Sequence, residues 1–379
     1  MSRKQGTNRR GRNTGDLADA VMVVHGPEAF DLGDVALLQD ILAPGRTVVA
    51  GVMGRTAAEE SGLPVTFDGD VPSSVIGRIL GPEGSWDRPG GKGAPLDRTG
   101  GRVFLVNRGK TPESGRIFGE MVASRLPPGR PLVQLECSSR TVFLWNGGDP
   151  EFARLLADST GFTLEEACPA RRPDGEEREI RGCSPGEAVL VEGIVIGTAT
   201  ADTVVVRQGQ LGIEPVSGLR PKAHGLEKLA RLGKIRLPTA WCKSGPVRRA
   251  SPRKRGHAPS SGRILVIDHR GHDLYRSLTP DICGVLAIGD DTTSVCGHIC
   301  AHLGIPVFGV VDGDLDGLVA GGFSPGSVVV EILGGRDDEA GLELASLVGR
   351  DPVTWIEWVA RALGVLGDRG RVMYPPLEG

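Results

Sequence analysis

The chain has 379 residues, a net charge of −3, 39% hydrophobic residues and 4% aromatic residues, enough for about two or three domains with separate cores. No apolar run approaches the roughly 20 residues of a membrane span, and no apolar signal-peptide core follows the basic start "MSRKQGTNRRGRNTGD". The seven cysteines contain no CxxC pair, which excludes a disulfide framework and a structural zinc ribbon and points to a reducing cytoplasm.

Residues 1–17 read as a disordered basic tail. A buried strand is expected at Ala20–Val24, followed by the loop "HGPEAFD" and a helix carrying Leu32, Val35, Leu38, Ile41 and Leu42 at helical spacing. A second strand is expected at Thr47–Val52, then a helix from "GVMGRTAAEESG" that stops at Gly62 as C-cap. Further strands are expected at Pro64–Phe67, Val103–Val106 and Leu132–Leu135, with a helix opening near Pro112 between the last two. Strands alternating with helices imply a mostly parallel sheet covered on both faces, so residues 18–165 read as a Rossmann-like α/β domain. The Gly/Pro-rich span Leu80–Gly101 is a long loop of the kind that is functional or disordered more often than neutral.

From about Cys183 to Gly218 the chain becomes β-branched with closely spaced turns, which predicts a small β-rich subdomain over 180–245. Residues 246–262, "PVRRASPRKRGHAPSSG", have the composition of a linker. A C-terminal α/β domain over 263–379 follows, with strands at Arg263–Ile267, Gly284–Ile288, Pro306–Val311 and Ser327–Ile332. Its last helix should start with Asp351 as N-cap and Pro352 in the first turn, and pack Trp355, Val359, Ala362 and Leu363. The whole is an α/β chain of three parts: a mostly parallel N-terminal sheet, a β-rich middle and a C-terminal α/β domain.

Charge is unevenly placed. Between Ser217 and His257 stand twelve Lys/Arg against one acid, Glu227; from Ala258 to Gly379 stand eight Arg against seventeen acids. The acids include residues just past three predicted strands: Asp268; Asp290 and Asp291; Asp312 and Asp314. Ligands bind outside the carboxyl ends of strands in open parallel sheets. Carboxylates gathered there repel one another unless a hard cation such as Mg²⁺ holds them together with water and a substrate phosphate. The competing reading is a set of solvated turn aspartates. "DGDLDG" starts like an EF-hand loop, but Phe323 stands where the bidentate Glu belongs. A toprim site is also disfavoured, since Asp268 stands where that family has Glu. His298 and His302, four apart on a predicted helix, have metal-ligand spacing but no carboxylate in register.

In the N-terminal part, Arg108, Gly109, Lys110 and Thr111 link a strand to the helix opening at Pro112, a place where backbone N–H groups and cations attract phosphate. It is not a Walker A loop, because Phe104 replaces the required glycine. His25 and Asp31 are the titratable groups of the neighbouring loops, and a lone histidine there is more often structural. Arg248, Arg249, Arg253, Lys254 and Arg255 form the densest part of the basic segment and are candidates for nucleic-acid backbone contact. With only Trp241 nearby, stacking on bases looks poor. The same cations could instead face the acidic C-terminal part of the chain.

Two resemblances follow. "DDTTSVCGHICAHLGIPVFG" resembles the swivelling phosphohistidine domain of enzymes that use phosphoenolpyruvate, through Thr293, Ser294 and Leu303–Pro306. Val295 stands at the phosphoacceptor position, so that role does not carry over. Across Val21–Gly335, "HGPEAFD", "GVMGRTA", "NRGKTPESGRIFGE", "RPKAHGLEKL", "SGPVRR" and "GDDTT…LGIPVFGVVDGDLDG" together resemble an uncharacterised domain-of-unknown-function family of methanogenic archaea. That resemblance implies a cytoplasmic archaeal protein and no particular activity. The functional expectation is a Mg²⁺-dependent enzyme handling a nucleotide or other phosphorylated ligand. The alternatives are a non-catalytic nucleic-acid-binding protein using residues 217–257, and a regulatory protein with a degenerate swivelling domain.

Overall fold

The computed structural model describes residues 17–81, 102–127, 130–168, 176–210, 212–231, 235–237, 240–254, 256–313 and 322–374. The expected basic tail (all but its last residue), nearly all of the 80–101 loop, Asp314 and Arg255 lie outside the described residues. The chain forms two compact units, one from residues 1–51 and 63–170, the other from 52–62 and 171–379. No helix among the described residues is long and apolar enough to cross a membrane.

The first unit contains β1 (Val21–His25), α1 (Glu28–Asp31), α2 (Asp34–Leu42) and β2 (Arg46–Ala50). The chain then contributes α3 (Arg55–Ser61) to the second unit and returns for β3 (Thr66–Asp68), α4 (Pro72–Ile79), β4 (Val103–Asn107) and α5 (Pro112–Arg125). It ends with β5 (Leu132–Glu136), β6 (Thr141–Trp145), α6 (Pro150–Thr160) and β7 (Thr163–Ala167). The strand order is β3-β2-β1-β4-β5-β6-β7, parallel throughout except for the antiparallel β5–β6 hairpin. The parallel strands read as near-continuous apolar runs because helices cover both faces. Val23, Val48, Leu105, Phe143 and Trp145 lie in its core. Gly62 caps α3 in the left-handed conformation (φ 71), as its position in the sequence predicts.

The second unit opens with β8 (Glu177–Arg181), β9 (Ala188–Val191), β10 (Ile194–Ala199), β11 (Thr203–Gln208), β12 (Ile213–Ser217) and β13 (Leu219–Pro221). Helix α7 (Ala223–Arg231) and β14 (Cys242–Ser244) complete this part. The strands form two small antiparallel sheets, β13-β10-β9-β14 and β12-β11-β8. Val191, Ile196, Val204, Val206 and Leu229 of α7 share one core. Then come β15 (Ser261–Asp268), α8 (Leu274–Ser277), β16 (Ile282–Ile288), α9 (Asp290–Leu303) and β17 (Val307–Val311). They are followed by β18 (Val328–Ile332), α10 (Asp337–Ala345), β19 (Val353–Thr354), α11 (Trp355–Leu366) and β20 (Gly370–Tyr374). This sheet has the order β19-β15-β16-β17-β18-β20, with the four central strands parallel and an antiparallel strand at each edge.

Two boundaries differ from the sequence reading. The last helix starts at Trp355, not after Asp351: Thr354 is its N-cap, and its hydroxyl accepts from the Glu357 N–H. Residues 353–354 instead pair with Ser261–Gly262 as an edge strand, an extended conformation that Pro352 does not oppose. Trp358 is more completely buried than Trp355 in this helix, packed edge-on against Phe308. The second is the expected linker over 246–262, in which Val247 and Arg248 are buried. A buried guanidinium needs a buried counter-charge, and Glu60 of α3 supplies it at 2.7 Å.

Candidate metal centre in the second unit

The central parallel strands of the second unit deliver carboxylates to one edge. Asp268 ends β15; Asp290 and Asp291 open α9 after β16; Asp312 follows β17. The fourth strand, β18, leads into Asp337 and Asp338 at the start of α10. Opposite them, the chain around β10 and α7 brings Gly193–Val195, Lys222, His224 and Lys228. Together with His269, Asp290, Asp291 and Asp312 they line a cavity of about 30 Å³.

Close backbone packing holds this arrangement. A Cβ at Gly225 would lie 1.9 Å from the Val195 carbonyl oxygen, so α7 approaches β10 as closely as it does only with glycine there. Gly289, with φ 102, turns the chain from β16 into α9, and a Cβ there would lie 3.0 Å from His269 Nε2.

Two imidazole–carboxylate pairs stand out. His224 Nε2 lies 3.2 Å from Asp312 Oδ2, and His269 Nε2 lies 3.2 Å from Asp338 Oδ1. Both nitrogens are buried and neither makes a hydrogen bond; the same holds for Asp312 Oδ1. The donor atoms of His224, Asp312 and Asp337 lie within 4.8 Å of one another, as do those of His269, Asp337 and Asp338. Asp337, 0% exposed, belongs to both groups. The Lys228 ammonium meets Asp337 Oδ2 at 3.0 Å, and Arg231 pairs with Asp338.

Around these groups a further layer fixes orientation. His269 Nδ1 is hydrogen-bonded to Asp268, which in the neutral ring leaves Nε2 with its lone pair. That bond is also the main reason the Asp268 carboxyl is held below its ordinary range, against the effect of its burial. Asp290 accepts the Asp312 backbone N–H at 3.2 Å. Burial, then the hydrogen bond with Asp312, pushes the Asp290 carboxyl up. Burial would raise Asp312 too, but the bond with Asp290 and the charges of Lys228, His224 and Lys222 hold it below its ordinary value.

Of the residues expected to hold a metal, Asp312 stands in a ligand cluster and Asp291 lines the cavity. Asp290 accepts the Asp312 backbone N–H, and Asp268 is hydrogen-bonded to His269. Composition alone did not single out His224, His269, Asp337, Asp338 or Lys228. The rule that pointed to Asp268 and Asp312, acids just past a strand, extends to Asp337 and Asp338 after β18; His269 directly follows Asp268. His224 and Lys228 had no local signal beyond membership of the basic segment.

The other candidate groups have internal partners. Arg108 pairs with Asp34 through two guanidinium nitrogens, and the Gly109 N–H donates to Glu136 Oε1 at 2.8 Å. Thr111 is the N-cap of α5, accepting from the Ser114 N–H. The Glu136 carboxylate thus takes one of the backbone donors that the phosphate expectation relied on. His25 donates from Nδ1 to the Ala50 carbonyl and stacks on Phe118. Arg248 is 3% exposed and bound to Glu60, which withdraws it from any nucleic-acid surface. Arg249, Arg253 and Lys254 are exposed. His298 and His302 are both buried: His298 meets Arg248 at 3.3 Å, and His302 bonds the Arg253 carbonyl and Glu59.

Comparison with known proteins places the chain in a family. Residues 93–351 match the model of "Uncharacterized protein conserved in archaea (DUF2117)", and the chain belongs to that family. It is 29% identical over 339 residues to an uncharacterised protein of Methanocaldococcus jannaschii, covering 84% of this chain and 88% of that protein. No solved structure matches it.

Proposed function

We propose that the second unit is a divalent-cation-dependent enzyme acting on a phosphorylated, nucleotide-like ligand. The observation that carries this reading is the pairing of His224 Nε2 with Asp312 at 3.2 Å without a hydrogen bond, beside a cavity lined by lysines. Two ligand atoms each about 2.1 Å from one cation, at angles between tetrahedral and octahedral, lie about 3.0–3.4 Å apart. The charge balance by itself would not suffice, since Lys228 and Arg231 already offset Asp337 and Asp338.

The donor set also bears on the choice of metal. Mg²⁺ takes oxygen ligands almost alone, whereas imidazole suits Mn²⁺, Fe²⁺ or Zn²⁺. The reading therefore puts Mn²⁺ or Zn²⁺ ahead of Mg²⁺. A cavity of about 30 Å³ is far below the roughly 300–1,000 Å³ of a pocket enclosing an organic ligand. Only phosphate oxygens would reach its mouth, meeting the cation and Lys222 and Lys228, while the rest of the ligand stays outside. Metal-held phosphate chemistry works by positioning and charge neutralisation, without a protein nucleophile.

The test is a thermal melt of the chelator-treated full chain with Mn²⁺, Zn²⁺ or Mg²⁺, followed by hydrolysis assays on nucleotides and nitrophenyl phosphates. A cation at about 100 times its dissociation constant adds about 2.7 kcal/mol, a rise of roughly 5–11 °C for a unit of this size. Asp312→Asn should abolish the turnover and shrink the rise. No rise with any of these cations at millimolar concentration ends the proposal.

A further inference from the structure

We infer that this crevice takes two divalent cations bridged by the Asp337 carboxylate, one also held by His224 and Asp312, the other by His269 and Asp338. The inference rests on the metal reading above, which itself needs a single cation.

Four observations carry it. The two imidazole–carboxylate pairs repeat the same geometry, 3.2 Å apart with a buried, non-hydrogen-bonded Nε2 in each. An imidazole and a carboxylate that merely attract each other align an N–H on the oxygen. Ligand atoms of one cation sit at this separation without such alignment. Second, both groups contain Asp337, with every donor atom in each group within 4.8 Å of the others. Two cations about 3.5–4 Å apart, sharing a carboxylate, are the usual spacing of a two-metal site. Third, the cavity of about 30 Å³ has room for about two water-sized particles, and residues of both groups line it, His224 and Asp312 of one and His269 of the other. Fourth, one outer ligand of each group is steadied from behind: His269 by Asp268, and Asp312 through its backbone by Asp290. Such supporting partners are characteristic of metal ligands.

Lys228 does not conflict with the bridge. It approaches Asp337 Oδ2, and each carboxylate oxygen carries two lone pairs, so ammonium and cations can share this group. The ligand chemistry also names the substrate class. Three carboxylate ligands leave a pair of dications with net positive charge, and on the same cavity wall Lys222 and Lys228 offset Asp290 and Asp291. The site is therefore built for a phosphoester whose oxygens span both ions.

The experiment uses the chelator-treated full chain and Mn²⁺ alone, read by bound metal per chain and by electron paramagnetic resonance. Two Mn²⁺ per chain with an exchange-coupled multiline spectrum are expected. His269→Gln and Asp338→Asn should each bind one Mn²⁺ with an uncoupled six-line spectrum. The wild-type stoichiometry and coupling decide the matter even if one variant fails to fold. One Mn²⁺ per chain, or two without coupling, overturns the bridged pair yet spares the single-cation reading. No bound Mn²⁺ ends both.

Discussion

Glu60→Ala should destabilise the second unit strongly, because it strands a buried guanidinium. Glu60 and Arg248 have side chains 4% and 3% exposed and meet at 2.7 Å. Glu60 also accepts the Arg253 N–H at 2.8 Å. Breaking one side of a buried ion pair costs about 3–5 kcal/mol. Arg248 would keep its 3.3 Å contact with His298, which places the expected loss toward the lower end of that range. For a unit of this size, 3–5 kcal/mol is roughly a 6–20 °C fall in melting temperature. The double replacement Glu60→Leu with Arg248→Met removes both charges and should recover most of the loss, since apolar substitutes for a buried pair are often neutral. Scanning calorimetry of the full chain measures all three variants. A single-variant loss below about 1 kcal/mol, or a double variant no better than the single, would refute the account of Arg248 as a buried structural charge.

The same cluster sets a pH window. Burial alone would raise Glu60 and Glu59, but hydrogen bonds from Arg248 and Arg253 on the first and from His302 and Arg55 on the second hold both below their ordinary 4.5. Their contribution is present above pH 4.5 and is lost as pH falls through the lowered values. Burial would lower His302, but its bond with Glu59 and its backbone partner Arg253 raise it above the ordinary 6.5. Its contribution is complete below pH 6.5 and is lost as pH rises through the raised value. Stability from this cluster should therefore be full between pH 4.5 and 6.5 and decline on both sides.

Two further substitutions separate packing from chemistry. Gly225→Ala puts a Cβ 1.9 Å from the Val195 carbonyl oxygen. It should push α7 outward, weaken Mn²⁺ binding at least about tenfold by displacing His224, and lower the melting temperature; unchanged Mn²⁺ affinity in titration calorimetry would contradict that placement of α7. Thr111→Ala removes the N-cap of α5 and should cost about 1 kcal/mol in urea unfolding, with Mn²⁺ affinity unaltered because Thr111 belongs to the other unit.

The central parallel strands were legible because each is an apolar run bounded by turn residues, and β16 and β17 needed nothing but their own composition. The segment 141–167 was harder: β6 turns back on β5 as a hairpin and α6 and β7 follow, breaking the expected alternation. Trp358 stands three residues after Trp355 and four before Ala362, the spacing of one helix face, and was readable in the sequence. Asp337 and Asp338 follow the same strand-end pattern as Asp312, and the sequence could have yielded them. Arg248 could not be read this way, since a cation in an Arg-rich run looks the same whether solvated or buried.

Local order along the chain was enough to determine the central parallel strands, the Gly62 cap of α3 and the carboxylates after β15, β16 and β17, because backbone conformation and apolar periodicity act over a few residues. It also determined that a basic segment precedes an acidic one. Only the tertiary structure decided which charges meet. The approach of α7 to β10 at Gly225 places His224 and Lys228 against strand ends more than 80 residues later in the chain, and the excursion of α3 supplies Glu60 to Arg248. Polar side chains carry no periodic signature of their partners; their pairing is set by how apolar faces pack, and that is a property of the whole fold.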